Sequence, residues 1–358
     1  MPDRDILLKI LDLARWAPSG DNTQPWRFEI IDHNRIAVHG HDTRDWCIYD
    51  FEGRASYMAH GALLETIRIA ATEHGLKAVW VHRSGTSDTL PIYDVEFGTD
   101  STLMRDPLYP FIEVRTVQRR LMKTTPLTAN QRIAIQTAVG EGYTIQFFET
   151  LADRYEIAKL LWQNAHVRLT CPEAYQVHKQ IIEWGTSFSK DRIPERAVGV
   201  DPLTAYLMRW VMQSWNRLDF FNRYLFGTIA PRIQLDFLPA MFCAAHLLIR
   251  AEKIPQTQLD FVSAGMAMQR IWLTCAANGL FLQPEITPVI FNWYATQKIK
   301  VSHLDAVNQE VGKLAENFYA FSGPRSEQTV FMCRIGTASQ PSSRSVRLPL
   351  SDLMWKPK

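Results

Sequence analysis

Between an amphipathic run and an apolar one, the chain sets the small and polar residues Pro18-Ser19-Gly20-Asp21-Asn22-Thr23-Gln24, inside "ARWAPSGDNTQPWRFEII". Ser19, Asn22 and Gln24 supply hydrogen-bonding side chains on a turn, and Gly20 lets another group come close to the backbone. Such a surface suits a flat ligand, although an ordinary helix-to-strand turn needs no ligand at all. A second candidate is "VRTVQRRLMKTTPLT", where Arg115, Arg119 and Arg120 stand close together. Guanidinium groups hold phosphate through paired, charge-assisted hydrogen bonds of ~1.5–3 kcal/mol each. Alone, this cluster also reads as a solvated basic turn. A third is "CRIGTASQPSSRSVRLPLSDL", with Arg344 and Arg347 in a Ser- and Pro-rich stretch that by itself reads as a loose tail.

Other titratable groups carry less. His39 and His41 in "HGHD" lie two apart without a third ligand at recognisable spacing, so a surface turn is the better reading and no metal site is expected. Ser19 has no signature of a base-activated nucleophile, and no G-x-G-x-x-G dinucleotide fingerprint occurs. The sequence therefore names no catalytic side chain.

The elements that position these residues follow from periodicity. Asp3 can cap a helix whose buried stripe is Leu7, Ile10, Leu11 and Ala14, and Pro18 stops it. "WRFEII" predicts a strand, residues 54–74 a long helix ended by Gly75, and "KAVWVHR" and "LPIYDVEF" two further strands. "FLPAMFCAAHLLI" (237–249) is shorter than the ~20 residues of a membrane span and reads as a buried helix.

Laid without gaps on a later segment, the long helix shows that the chain repeats itself. "YMAHGALLETIRIAATEHGL" (57–76) and "FVSAGMAMQRIWLTCAANGL" (261–280) match at a constant offset of 204, with Gly61 on Gly265 and Gly75-Leu76 on Gly279-Leu280. A mid-helix Gly costs about 1 kcal/mol relative to Ala, so the shared position predicts paired central helices in close backbone contact. "PLTANQRIAIQTAVGEGYTIQFFE" (126–149) again runs helix, break, strand, as residues 3–31 do. The expected organisation is a tandem duplication, 1–107 and 108–358, which fuses a two-fold dimer into one polypeptide. The second copy carries an aromatic insertion, 185–238, with either a lid-like or a core-covering role, and a C-terminal arm, 324–358.

Composition narrows the partners. The 46% hydrophobic content supports a large core, and 39 basic against 37 acidic residues leave no global field for nucleic acid or an anionic membrane. Five widely spaced cysteines without a C-x-x-C pair fit a reducing compartment, and the N-terminus lacks the uninterrupted apolar core of a signal peptide. A cytoplasmic location is expected.

Together the three basic and polar stretches resemble the nitroreductase family of flavin mononucleotide (FMN) enzymes. "APSGDNTQPW" (17–26) reproduces that family's "APS-x-x-N-x-QPW" loop, supplying Pro18, Ser19, Asn22 and Gln24. Arg115-Thr116-Val117-Gln118-Arg119 matches its phosphate-gripping "R-x-S-x-R/K", with Val117 in place of the hydroxyl residue and Arg120 as a candidate substitute. Arg344 and the arm ending Arg347-Leu348-Pro349-Leu350-Ser351-Asp352-Leu353 match its C-terminal element, and Pro284-Glu285 its Pro-Glu step. The resemblance spans most of the chain outside 185–238. It implies an α+β, nitroreductase-like α/β/α sandwich repeated twice, with mixed sheets on long central helices.

In the family's homodimers one subunit supplies the phosphate grip and arm and the other the loop. Here the loop survives only in the first copy and the arginines, Pro-Glu step and arm only in the second. One complete FMN site is therefore expected, in a monomeric pseudo-dimer or weak homo-oligomer, and its pseudo-symmetric twin should be dead. The resemblance implies ping-pong hydride transfer from NADH or NADPH to a small electron-poor or biosynthetic molecule, the flavin carrying the chemistry. The alternative is a protein that stores a covered flavin without catalysis.

Overall fold

Asp3 caps the first helix, α1 (Arg4–Ala14), by accepting a 2.8 Å hydrogen bond from the Ile6 amide, and the buried face is Leu7, Ile10, Leu11 and Ala14, as the spacing predicts. The computed structural model describes residues 3–356. After the Pro18 loop come β1 (Trp26–Ile30), β2 (Arg35–Gly40), the long helix α2 (Arg54–Thr72), β3 (Leu76–His82) and β4 (Ile92–Thr99). They build an antiparallel sheet in the order β1-β2-β4-β3. Gly75 turns the chain from α2 into β3 at φ +62°, a conformation that favours glycine.

The second half repeats this path with additions. It begins with α3 (Ala129–Ala138) and β5 (Tyr143–Phe148), followed by α4 (Leu151–Thr170) and α5 (Pro172–Ile181). Three two-residue strands come next, β6 (Ile182–Glu183), β7 (Phe188–Ser189) and β8 (Ile193–Pro194). The helices α6 (Pro202–Val211) and α7 (Trp215–Tyr224) and the short turns α8 (Ile229–Arg232) and α9 (Leu238–Met241) complete the additions. The path resumes with β9 (Ala245–Ala251), the long helix α10 (Gln258–Ala277) and β10 (Phe281–Pro284). Then come α11 (Thr287–Thr296), α12 (Asp305–Ser322), β11 (Thr329–Gly336), β12 (Arg344–Ser345) and α13 (Leu350–Leu353).

The second sheet runs β5-β9-β11-β10, again antiparallel. In both halves two adjacent strands lead into a long helix, which crosses to the far edge strand before the last strand returns between. The parallel component of the mixed sheets is confined to their edges, at the bridges Phe28–Met354 and Val117–Leu282.

Two expectations are corrected. Residues 237–249 are not one helix: α9 ends at Met241, and Ala245–Ala251 is the second strand of its sheet, buried along nearly its whole length between β11 and β5. A strand apolar on both faces carries no period-2 signal, so its sequence cannot be told from that of a buried helix. "HGHD" is likewise no turn at its start, because His39 and Gly40 pair with Arg27 and Trp26 in β2. His39 hydrogen-bonds Glu29 at 2.7 Å and stacks on Trp355.

The halves meet along α2 and α10. A Cβ built on Gly61 would overlap the Val262 carbonyl, and one on Gly265 would overlap the Met58 carbonyl, so each helix lays its glycine on the other's backbone. Beside this crossing Gln269 donates to Thr66 at 2.9 Å, and Arg270 holds the buried Glu65 at 2.8 Å and Asp106 at 3.0 Å. Gly61→Ala or Gly265→Ala should destabilise the chain by ~1–3 kcal/mol in urea unfolding, the overpacking cost outweighing the helix-propensity gain. Gly312→Ala, inside α12 with nothing near its added Cβ, should instead stabilise it by about 0.5–1 kcal/mol. Equal effects at all three glycines would contradict the close crossing.

Candidate functional site

The Pro18 loop lies between α1 and β1 in a demanding conformation: Asp21, Asn22 and Gln24 have φ of +51°, +66° and +50°. A left-handed non-glycine residue costs roughly 1–2 kcal/mol, so contacts must hold the loop. Ser19 Oγ accepts from the Gln24 amide at 3.0 Å. The Asn22 side chain donates to the Val346 carbonyl at 3.1 Å and to the Arg192 carbonyl at 3.4 Å. Gln24 donates to Lys190 O at 2.9 Å and accepts from the Leu348 amide at 3.0 Å. The loop of the first half is thus stapled to the arm of the second and to the start of the insertion.

The arm is ordered by this contact. Trp355 donates its amide to Phe28 O at 2.7 Å, at the outer edge of β1. Arg347 donates to Ala17 O at 3.1 and 3.0 Å, and Arg115 donates to Trp16 O at 3.0 Å and covers the Trp272 ring. Arg344 lies over Trp16 and donates to the Glu113 carbonyl at 2.9 Å. Three guanidinium groups therefore gather just beyond the C-terminal end of α1, where its dipole favours cations. Burial drives Arg115 well below its ordinary range, with repulsion from Arg347 and Arg344 adding to it, and takes Arg347 down to about 9. Among the described residues no carboxylate bonds to any of the three, and the Nε atoms of Arg115 and Arg344 are buried without a partner.

In front of this cluster opens a cavity of about 590 Å³. Pro18, Ser19, Arg119, Pro284 and Glu285 line it, together with Gly20, Asp21 and Val117. Arg115, Thr116, Asn22, Gln24, Arg344 and Arg347 do not; they form the layer behind the wall, Trp272 being shared between the two. Arg119 donates to Ala197 O at 3.3 Å. The Arg120 side chain is exposed and does not stand in for the missing hydroxyl at Val117; its carbonyl accepts from Arg334 instead. Glu285 is engaged by His246 at 2.7 Å and Arg334 at 3.3 Å. The second half's counterpart of the Pro18 loop, Gly140-Glu141-Gly142, is an exposed turn.

Much of the remaining wall went unread in the sequence. On α4 the residues Leu161, Asn164 and Arg168 share the cavity-facing side. Asn164 donates to Thr287 Oγ1 at 2.7 Å, and among the described residues its buried Oδ1 has no partner. Arg168 pairs with Asp236 at 2.5 Å, and within the same described residues its Nε and the Gln283 Oε1 are likewise unpartnered. Asp236 is pushed up to about 6, chiefly by burial. Tyr49 hydrogen-bonds His178 at 3.0 Å, and burial, assisted by the Arg168 charge, lowers His178 to about 3. The insertion closes the far side through Leu207, Met208, Leu218 and Phe221 of α6 and α7. The i, i+4 spacing of Asn164 and Arg168 was the one available signal, and it acquires meaning only once α4 is seen to face the cavity.

Comparison with known proteins gives the following. Residues 1–47, which hold α1, the Pro18 loop and β1, match the family model described as the Nitroreductase family. Uncharacterized protein MT1398 of Mycobacterium tuberculosis (strain CDC 1551 / Oshkosh) is 24% identical over 279 residues, covering 75% of this chain and 37% of its own length. The chain thus spans little more than a third of that relative. A Bacteroides fragilis nitroreductase with bound FMN overlaps 65% of this chain and 89% of its own, at 7% identity and TM-score 0.37. The FMN-dependent nitroreductase NfnB of Mycobacterium smegmatis, in complex with NADPH, overlaps 69% and 96%, at 13% identity and TM-score 0.38. No helix among the described residues is long and apolar enough to cross a membrane.

Because His178 is held far below its ordinary 6.5, the unfolded chain takes up a proton that the folded chain refuses as pH falls from about 7 toward 3. Folding stability tied to this residue is present above that window and is lost on acidification. His178→Gln should therefore show a smaller drop in melting temperature between pH 7 and 4.5 than the parent. Equal drops would contradict the neutral imidazole.

Proposed function

We propose that this chain, whose residues 1–47 match the nitroreductase family, is an FMN-dependent oxidoreductase with a single flavin site between its two halves. The observation that carries the reading is a trio of guanidinium groups, Arg115 and Arg347 buried and Arg344 half-buried, without a carboxylate partner among the described residues, behind a cavity whose wall offers unpartnered polar atoms. FMN matches both features. Its phosphate suits Arg119 on the cavity wall, with the positive charge of Arg115, Arg344 and Arg347, and the Thr116 hydroxyl, in the layer directly behind it. The pyrimidine edge of its ring carries a donor between two acceptors, which suits Asn164 Oδ1 and Arg168 Nε. Pro18, Ser19 and Gly20 offer the flat backbone surface opposite, and Pro284 and Glu285 close the other side.

When bound, FMN accepts and delivers hydride. The chain's own work is to orient and enclose. Asn22 and Gln24 keep the loop clamped to the arm, while the Glu285–His246–Arg334 network fixes the Pro-Glu step. Helices α6 and α7 exclude water, which strengthens every polar contact inside. We assign the halves to residues 1–107 and 108–358, with 185–238 as the lid and 324–358 as the arm. NADH or NADPH would enter first and a small electron-poor or biosynthetic acceptor second, in ping-pong order. The covering helices equally suit a flavin-storing protein, so reduction of the bound flavin by NADH or NADPH is the discriminating observation.

Arg115→Ala or Arg119→Ala should weaken FMN binding by ~1.5–3 kcal/mol, about 10- to 150-fold, in a fluorescence-quenching titration. Unchanged affinity in both variants would overturn the phosphate assignment, and a purified chain that cannot be reconstituted with FMN would overturn the reading as a whole.

A further inference from the structure

We propose that Asp21 is the proton donor of the reaction, placing a proton on the substrate oxygen where negative charge develops as hydride arrives elsewhere on the conjugated acceptor. The assignment rests on the flavin reading above. Asp21 sits at the tip of the Pro18 loop and lines the cavity, in a left-handed conformation that presents it between Gly20 and Asn22. Among the described residues its carboxyl group has no hydrogen-bond or ion-pair partner, whereas every other polar side chain from Ser19 to Gln24 is engaged. A loop that holds an unpartnered acid in a costly backbone conformation at a cavity wall needs a reason beyond folding.

The surroundings suit a group that alternates between acid and carboxylate. Arg119 lines the same cavity and its charge acts on Asp21, Asp50 and Cys47 lie on the loop before α2, and Tyr49 stands on the same segment. Burial favours the neutral acid, Arg119 opposes this, and Asp50 reinforces it, leaving Asp21 at about 6. A general acid works best with a pKa near the operating pH.

The step balances. When bound, FMN in its reduced form would supply the hydride, a flavin–H bond breaking as a bond to hydrogen forms on an electrophilic atom of a conjugated acceptor such as a quinone, and a nicotinamide would restore the two electrons. The Asp21 O–H bond breaks and a new O–H bond forms on the acceptor's oxygen. The carboxylate left behind faces Arg119 and regains its proton from water before the next turnover.

The test uses the FMN-loaded full chain and 1,4-benzoquinone, following reoxidation of the reduced protein from pH 5 to 8. In the parent the rate should fall towards tenfold per pH unit above about 6. Asp21→Asn should be about 100-fold slower at pH 6 and flat with pH, and Asp21→Glu should restore the slope. A second readout needs no turnover. Because the raised pKa makes the carboxylate costly above about 6, Asp21→Asn without FMN should melt higher than the parent at pH 7.5, and the gap should shrink steadily as pH falls through 6 and close towards 3.8. A gap independent of pH, or a variant that keeps the parent's rate and profile, overturns the Asp21 assignment alone. A chain that takes up no FMN overturns both readings, while the melting gap still reports the protonation of Asp21.

Discussion

The structure depends on one close approach, the crossing of α2 and α10 at Gly61 and Gly265. Any side chain at either position would run into the other helix's backbone carbonyl, so the spacing of the two halves is set where side chains are absent. That spacing puts the Pro18 loop of the first half within reach of the arm and arginines of the second, so that the proposed flavin site draws on both halves. The surrounding bonds, Gln269 to Thr66 and Arg270 to Glu65, keep polar groups satisfied in an interface that would otherwise be apolar.

At that junction two costly arrangements support each other. The loop holds three non-glycine residues at positive φ, and the arm brings Arg344 and Arg347 close to Arg115. The clamp from Asn22 and Gln24 to Val346 and Leu348 stabilises both at once. Mutual repulsion of buried cations is tolerable where backbone carbonyls and aromatic faces receive them, as Trp16, Ala17 and Trp272 do here. An anion nearby would relieve that repulsion, which is why we propose a binding role for the cluster over a purely structural one.

Much of this was legible in the chain. The Asp3 cap, the α1 stripe and the two matched helices follow from local periodicity, and the shared Gly61 and Gly265 positions pointed to the interface between the halves. The three short stretches that carry the family resemblance all come together at the junction, although Asn22 and Gln24 clamp the arm where a ligand-facing role was expected. Other features were beyond local reading. Residues 245–251 are apolar on both faces, and no period separates a buried strand from a buried helix. Asn164, Arg168, Tyr49 and His178 come from separate elements and become one wall only through the tertiary fold, so no window of sequence could join them. Asp21 lay within the loop singled out from sequence, but its lack of a partner is a property of the folded cavity.

The claim that one flavin site is assembled from complementary halves is tested most directly by stoichiometry. Equilibrium dialysis of the purified chain against FMN, with protein and flavin quantified separately, should saturate at one FMN per chain. A value of two would contradict the loss of the pseudo-symmetric site, and a value of zero would contradict the flavin assignment itself.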